Sequence, residues 1–336
     1  MGNKITKRIP LWIKCPVAVL FQQLGELPLH VICCNMVRSY TQNTRCADVT
    51  VKQVRKMTQK TVYRYLDKRY GAMVERVFEK YTDGMQDNCA PIWIFWWQGQ
   101  ENAPLIIKSN ISHIMKKAGN HPVHIVDATN FQNYVMLPPH ILEKFQKGKI
   151  SITHFSDYLR ASLLYKHGGL WIDGSIFVRH KIPDDVFMSP IWTIRNPGND
   201  EENISNWDWT IGVMGGWRKN TLFYAVAELL SNYWRDHDIP ADYYVMDYMM
   251  KLVYEKSDTV KEWVHTVEPT NDQFYYLQNN ANLPIDNEKY QKAMNSTTWL
   301  YKISWKGQYL LNTSDGQRTV YAQWQEDFGV YPSLGG

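Results

Sequence analysis

Long hydrophobic runs are missing from this sequence of 336 residues. Its most apolar stretch, residues 11–37, is interrupted by polar and charged side chains that include Lys14 and Glu26. A membrane-spanning helix needs about 20 predominantly apolar residues in succession. The sequence therefore predicts neither a membrane span nor a good signal peptide.

Cysteine is also scarce, and its pattern excludes the usual cysteine-based structural sites. The five cysteines all lie in the first 89 residues, and Cys33 directly precedes Cys34. An odd number and an adjacent pair fit neither a disulfide framework nor a zinc site. We expect reduced thiols in a cytoplasmic protein.

Several common catalytic signatures are absent. The ten histidines show no HExxH spacing, and the chain contains no GxGxxG, Walker or GxSxG motif. Aromatic residues, in contrast, are abundant: there are 14 Trp and 21 Tyr residues. Such side chains stack on sugar rings or bases, and they also fill hydrophobic cores, so the count alone leaves both interpretations open.

The charge is unevenly distributed. Residues 1–80 contain 15 Lys and Arg against 5 Asp and Glu, a balance of +10, and the remainder carries 22 against 28, a balance of −6. A basic leading segment indicates docking to an anionic membrane surface, since no nucleic-acid motif accompanies it. A solvated helical face would explain the same charges. We expect a basic helical region over 1–88 and the main domain over 89–330.

The main domain alternates between strand and helix patterns. This alternation predicts an α/β fold with a mainly parallel sheet flanked by helices, and ligands at the carboxyl ends of the strands. The predicted elements are a strand at 92–97, a helix at 105–118, a strand at 123–127, an extended segment at 150–153, a helix at 157–167 and a strand at 170–173.

The helix at 157–167 carries the first candidate pair. Ser156 is the predicted N-cap, which places Asp157 in the first turn, where the helix dipole favours a carboxylate. Arg160 follows three residues later and projects from the same face.

The strand that follows carries the second candidate group. Gly168 and Gly169 end the helix and permit a left-handed turn. Trp171 then lies in the strand, and Asp173 comes at its carboxyl end. The helix and the strand would thus bring two carboxylates, a guanidinium and an indole toward one strand end.

This set of groups suits a sugar nucleotide. Asp157 and Arg160 offer acceptors and donors to sugar hydroxyls. Asp173 is a suitable oxygen ligand for the divalent cation that a diphosphate requires. A structural Asp–Arg pair and an ordinary acid at the end of a strand remain the alternative.

A resemblance to a known family favours the functional interpretation. Residues 156–160 (SDYLR) and 163–173 (LLYKHGGLWID) resemble the signature of family 32-like glycosyltransferases, which have a DXD-type sugar-binding region, and are most similar to their capsular polysaccharide synthesis members. Residues 92–99 and 103–104 resemble the first strand and nucleotide-binding loop of that family. The resemblance covers about residues 90–310, and its individually weaker parts are residues 217–220, 242–244, 271–272 and 305–306.

The resemblance implies a GT-A type fold and roles for individual residues. Asp157 and Arg160 would hold the donor sugar as part of the catalytic set, and Trp96, Trp97 or Gln98 would contact the nucleotide base. We expect the rest of the donor site to include Gly168, Gly169, Trp171, Ser175 and Lys306.

The resemblance also implies that Asp173, the third catalytic residue, binds Mn²⁺ or Mg²⁺. A strict DXD motif would have a second acid where this chain has Ser175, so the ion would need another ligand, for which Asp272 is the candidate. Alternatively, Lys306 or His265 would neutralise the leaving diphosphate.

We therefore expect a metal-dependent hexosyltransferase of capsular or surface polysaccharide biosynthesis. It would transfer a hexose from UDP-galactose or UDP-glucose, with retention, to an oligosaccharide or lipid-linked acceptor at the cytoplasmic face of the membrane, without nucleic acid. Two alternatives remain: a glycoside hydrolase with paired carboxylates, and a carbohydrate-binding module without catalysis.

Overall fold

The computed structural model describes residues 16–44, 46–79, 84–196 and 203–329. Residues 1–15 (with Cys15 and the start of the apolar stretch) and residues 80–83 lie outside the described residues. The helices are α1 (Pro16–Gln23), α2 (Leu29–Asn43), α3 (Asp48–Phe78), α4 (Leu105–Lys117), α5 (Pro139–Gln146), α6 (Ile152–His167), α7 (Thr221–Asp236), α8 (Val245–Lys256), α9 (Asp258–His265), α10 (Tyr276–Asn280), α11 (Asn287–Met294) and α12 (Val320–Phe328).

A five-stranded sheet forms the centre of the molecule. Its strands are β1 (Ile92–Phe95), β2 (Val123–Val126), β3 (Gly169–Ile172), β5 (Ile191–Thr193) and β6 (Val213–Gly216); β4 (Ile176–Val178) and β7 (Leu300–Lys302) form a separate antiparallel pair. The strand order is β2-β1-β3-β6-β5. Strand β1 is parallel to β2 and β3, whereas β6 is antiparallel to both β3 and β5. Four strands therefore share one direction, which confirms the predicted α/β class with a mainly parallel sheet flanked by helices.

The two faces of the sheet are buried in two different hydrophobic cores. Side chains alternate along a strand, so Trp93 and Phe95 of β1 point into a core with helices α3, α6, α7 and α8. Ile92 and Ile94 point into the opposite core, which contains α4, α12 and the β4–β7 pair. Burial on both faces explains why this strand is a continuous apolar run.

The amino-terminal helices pack against the body of the protein. Val62, Leu66, Tyr70 and Val74 recur every four residues along α3 and are buried in the core that contains Trp93. Helix α3 contacts α7 and α8 directly. The division near residue 88 stays a prediction. No helix within the described ranges combines the length and the apolar character needed to cross a membrane.

The start of α6 differs from the prediction. The N-cap is Ser151, whose hydroxyl accepts a hydrogen bond from the backbone N–H of His154, so the prediction that Ser156 caps the helix was wrong. Ile152 and Thr153, predicted as extended, are helical. Asp157 consequently lies in the second turn, away from the free backbone N–H groups at the helix start. Neighbouring side chains, rather than the helix end, therefore determine its surroundings.

Candidate active site

A polar cluster lies at the carboxyl end of β3. The Arg160 guanidinium donates to Asp157 Oδ1 at 3.1 Å and to Asp173 Oδ1 at 3.3 Å. Its carbon lies 4.7 Å from the centre of the Trp171 ring, and Trp171 Nε1 donates to Asp173 Oδ1 at 2.9 Å. The structure thus brings together four residues that the sequence had singled out.

The members of this cluster differ in exposure. Asp157 is buried, and burial raises the pKa of its carboxyl while the Arg160 charge opposes that rise. The Arg160 side chain is only 4% exposed, whereas that of Asp173 is 29% exposed. Asp173 is therefore the carboxylate that a ligand can reach, and Asp157 holds Arg160 in place.

Sequence reasoning missed Lys302. Strand β7 pairs with β4 so that Lys302 lies opposite Ile176. Its ammonium donates to Ser175 Oγ at 2.7 Å and lies 3.5 Å from Asp173 Oδ2. The available signal was a lysine between buried apolar neighbours, Tyr301 and Ile303.

A second missed residue is Asp247 on α8, which is buried and interacts electrostatically with Asp157 and Arg160 of the cluster. Burial, together with the negative charge of Asp157, raises the pKa of Asp247 to about 7. Trp209 Nε1 donates to its Oδ1 at 3.2 Å. The signal in the sequence was a single acid within the otherwise apolar and aromatic segment 245–250. Acids in such surroundings have perturbed pKa values, and perturbed pKa values cluster at functional sites.

The three residues expected to contact the nucleotide base, Trp96, Trp97 and Gln98, lie in different surroundings. The Trp96 ring packs edge-on against Trp305 at 5.4 Å, close to the turn after β3, where a side chain on Gly174 would meet it. Trp97 instead packs against core rings, Phe145 at 4.9 Å among them. Gln98 is exposed and accepts from Asn102 through its backbone carbonyl. Of the three, Trp96 is the one whose ring lies next to Gly174 in that turn.

Gly168 and Gly169 lie at the amino end of β3, whereas Asp173 follows its carboxyl end. Both have positive φ angles, +67° and +92°. A Cβ on Gly169 would come within 2.0 Å of the Pro91 carbonyl oxygen, and one on Gly168 within 2.6 Å of the Arg218 nitrogen. The structure does not bring these glycines to Asp173; it uses them for close backbone packing.

The remaining candidates have other neighbours. The exposed Lys306 ammonium lies 5.2 Å from the Trp305 ring centre. Asp272 accepts from the Thr298 hydroxyl and from its neighbour Gln273, both at 3.0 Å. His265 Nε2 is 2.9 Å from the Tyr254 hydroxyl. These interactions involve groups other than Asp173.

The residues around Asp173 do not fit the expected Mn²⁺ or Mg²⁺ site. Arg160 contacts one oxygen of Asp173, Lys302 lies near the other, and Ser175 Oγ accepts from the same ammonium. A divalent cation would have to share these oxygens with two positive charges. Among the described residues, no group of three or more His, Cys, Asp or Glu side chains is arranged to hold a metal.

Several partly exposed aromatic side chains lie near the cluster. The half-exposed rings of Tyr243 and Tyr244 pack edge-to-face at 5.2 Å, and Tyr275 packs against Trp207 at 5.6 Å. Burial raises the pKa of Tyr275 to about 12, and the charges of Tyr244, Asp247 and Asp173 contribute. Trp207 has a φ of +61°, an uncommon backbone conformation for a residue other than glycine.

Comparison with known proteins identifies related sequences. The chain matches the family described as "Capsular polysaccharide synthesis protein" over residues 43–323. It is 34% identical over 113 residues to O-glycosyltransferase PaGT of Phomopsis amygdali, covering 30% of this chain and 27% of that protein. It is 33% identical over 99 residues to O-glycosyltransferase braB of Annulohypoxylon truncatum, covering 26% and 24%. The match thus spans about a quarter of each relative, 27% and 24%.

Two solved structures are similar at low sequence identity. The WbbM bifunctional glycosyltransferase in its apo form has 13% identity and a TM-score of 0.41, covering 75% of this chain and 51% of that chain. The PaToxG glycosyltransferase has 15% identity and a TM-score of 0.35, covering 80% of this chain and 94% of that chain.

Proposed function

Because the chain belongs to the capsular polysaccharide synthesis protein family, we propose that it is a glycosyltransferase of capsular or surface polysaccharide assembly. The donor is a nucleotide sugar, UDP-galactose or UDP-glucose, and the acceptor is a saccharide. The observation that carries the proposal is the cluster at the end of β3, in which Arg160 joins buried Asp157 to accessible Asp173.

The cluster suits recognition of a donor sugar. Asp157 accepts a hydrogen bond from the Arg160 guanidinium, and the guanidinium packs over the Trp171 ring. Asp173 is thereby held in one orientation, with an oxygen available to sugar hydroxyl donors. Trp96 lies beside the same turn, next to Gly174, and would contact the nucleotide base. The acceptor oxygen attacks from the face that the diphosphate leaves, which gives retention of configuration.

The aromatic rings near the cluster suit a saccharide acceptor. Sugar rings present apolar C–H faces that stack on Tyr and Trp side chains, while their hydroxyls reach polar groups. Tyr243 and Tyr244 are half-exposed. Burial raises the pKa of Tyr243, and the charges of Asp157 and Asp173 raise it further. An acceptor stacked there would have its hydroxyl groups beside the cluster.

We also propose that the acceptor is lipid-linked and that the enzyme binds the cytoplasmic membrane face peripherally. Helices α1 and α2 expose large apolar side chains, including Phe21, Leu29 and Tyr40. They belong to the segment of residues 1–80 with a charge balance of +10. Apolar insertion combined with attraction to anionic lipid is how amphipathic helices bind membrane surfaces. Flotation with anionic vesicles at low salt tests this, and no binding there would remove the idea.

The proposed activity is tested with a panel of nucleotide sugars and nucleoside diphosphates. We expect a nucleoside diphosphate to raise the melting temperature and its sugar to be consumed with release of the diphosphate. Release of sugar from glycans without any nucleotide would indicate a hydrolase instead. Glycan binding that the Asp173→Ala variant retains, with no turnover of any donor, would indicate a binding module.

A further inference from the structure

We propose that the Lys302 ammonium, rather than a divalent metal ion, neutralises the nucleoside diphosphate as it leaves. This inference rests on the proposed glycosyltransferase activity and names the cation that its site uses. The observation that carries the inference is that the Lys302 ammonium lies 2.7 Å from Ser175 Oγ. Ser175 stands where a DXD motif would have its second acid.

The backbone fixes Lys302 next to the turn after β3. Ile303 donates its backbone N–H to the Ser175 carbonyl at 3.0 Å, and Lys302 donates its own to the Phe274 carbonyl at 2.7 Å. The pairing of β7 with β4 continues from this point. The sheet pairing therefore holds the backbone of Lys302 beside the carboxyl end of β3. This is the end of the strands where ligands bind in open α/β sheets.

The two ion pairs that meet at Asp173 and Arg160 balance without a metal ion. Two carboxylates, Asp157 and Asp173, are matched by two cations, Arg160 and Lys302. Ser175 contributes a neutral hydroxyl, which accepts from Lys302 and adds no negative charge for a metal. An incoming diphosphate would therefore meet a positive group that is already in place.

Lys302 is the cation of this pair that a ligand can reach. Its side chain is 25% exposed, whereas that of Arg160 is 4% exposed and is held between two carboxylates. A lysine ammonium has three donors on a flexible stem, so it can turn from Ser175 to a phosphate oxygen without leaving Asp173.

The chemical step balances with Lys302 remaining protonated. The bond between the sugar carbon and the β-phosphate oxygen breaks, and its electron pair stays on the diphosphate. The acceptor oxygen bonds to the same carbon, and its proton passes to the departing diphosphate. Lys302 donates a hydrogen bond to the β-phosphate oxygen, where negative charge develops in the transition state.

Calorimetric binding of UDP, GDP and TDP in EDTA and in Mn²⁺ tests the inference. We expect the wild-type protein to bind one of them with the same affinity in both buffers. Lys302→Met should weaken that binding by about 10-fold to 100-fold, the scale of losing one charged hydrogen bond, and Lys302→Arg should recover part of it. Lys289→Met, at an exposed lysine of α11 that pairs with Asp286, is the charge-matched control and should bind as the wild type does.

A double variant tests the exchange of lysine for metal directly. Lys302→Met combined with Ser175→Asp removes the ammonium and supplies a second carboxylate, so nucleotide binding should now require Mn²⁺. Thermal unfolding of each variant shows that it is folded. Wild-type binding that disappears in EDTA, with Lys302→Met unaffected, would overturn the role of Lys302 and leave the transferase proposal standing. No binding of any of the three nucleotides would overturn both.

Discussion

The two ends of strand β3 both carry polar and charged residues, but these residues have different partners. At the carboxyl end, Asp173 connects with cations from α6 and β7. At the amino end, Gly168 and Gly169 pack against backbone, beside a cavity of about 290 Å³ lined by residues that include His124 and His167. The signature of residues 163–173 therefore contains two glycines that serve backbone packing and an acid that is suited to catalysis. The following substitutions distinguish the effects of the two ends of β3.

The largest effect is expected from Arg160→Met at the carboxyl end. This change leaves two carboxylates without their shared cation, and breaking a buried ion pair costs about 3–5 kcal/mol. Turnover of a donor sugar should fall by at least about 100-fold. Denaturant unfolding and donor consumption measure the two effects. Arg235→Met, on the exposed surface of α7, should change stability by less than about 0.5 kcal/mol; equal losses in both variants would refute a special role for Arg160.

At the amino end, Gly169→Ala should destabilise the fold by more than about 2 kcal/mol. The new Cβ would overlap the Pro91 carbonyl at a φ of +92°, so both strain and a backbone clash oppose it. Gly148→Ala is the matched control, since Gly148 has a φ of +73° and open space around it. It should cost only about 1 kcal/mol. Urea unfolding of both variants measures this difference, and similar costs would contradict the packing role.

Per pH unit, a smaller effect is expected from Asp247→Asn, seen as a change in the pH dependence of stability. The raised pKa of Asp247, about 7, means that the folded chain binds more protons than the unfolded chain between about pH 4 and pH 7. This residue therefore makes stability fall as pH rises through that window, by up to about 1.4 kcal/mol per pH unit. The asparagine variant should lose this part of the slope. Asp258→Asn, at an exposed acid, should keep it, and identical slopes would count against the assignment.

The smallest effect is expected from His124 at the amino end, with the opposite sign. Burial and the neighbouring His167 lower the pKa of His124, so the unfolded chain binds more protons below its usual pKa of about 6.5. Stability is therefore lost as pH falls below that value. His124→Gln should reduce the loss measured by unfolding between pH 7 and pH 5. A greater loss in the variant would contradict the predicted sign.

The elements that could be predicted from sequence are those whose partners are close along the chain. Asp157, Arg160, Trp171 and Asp173 fall within one helix–turn–strand unit, so periodicity and resemblance together identified the cluster. The sheet class followed from apolar runs such as 92–97, of which the structure uses Ile92–Phe95 as β1. The N-cap was misplaced because two serines, at 151 and 156, precede apolar helical residues, and the structure uses the first.

What could not be predicted depends on contacts between distant segments. Lys302 reaches Ser175 across 127 positions, and only the pairing of β7 with β4 creates that contact. Trp97 points into a core formed with α5 and α6, which periodicity in a short strand does not reveal. The ligand role of Asp272 was suggested by the family resemblance of residues 271–272, whereas the hydrogen bonds of this side chain depend on the local loop and Thr298.

The most direct test of the central claim is donor turnover by the wild-type protein and by Asp173→Asn. The substitution keeps the size of the side chain and removes its charge at the end of β3. We predict that the wild type releases a nucleoside diphosphate from one nucleotide sugar and that Asp173→Asn does so at least about 100-fold more slowly while remaining folded. Turnover by the variant close to that of the wild type would contradict the assignment of the active site to this end of the sheet.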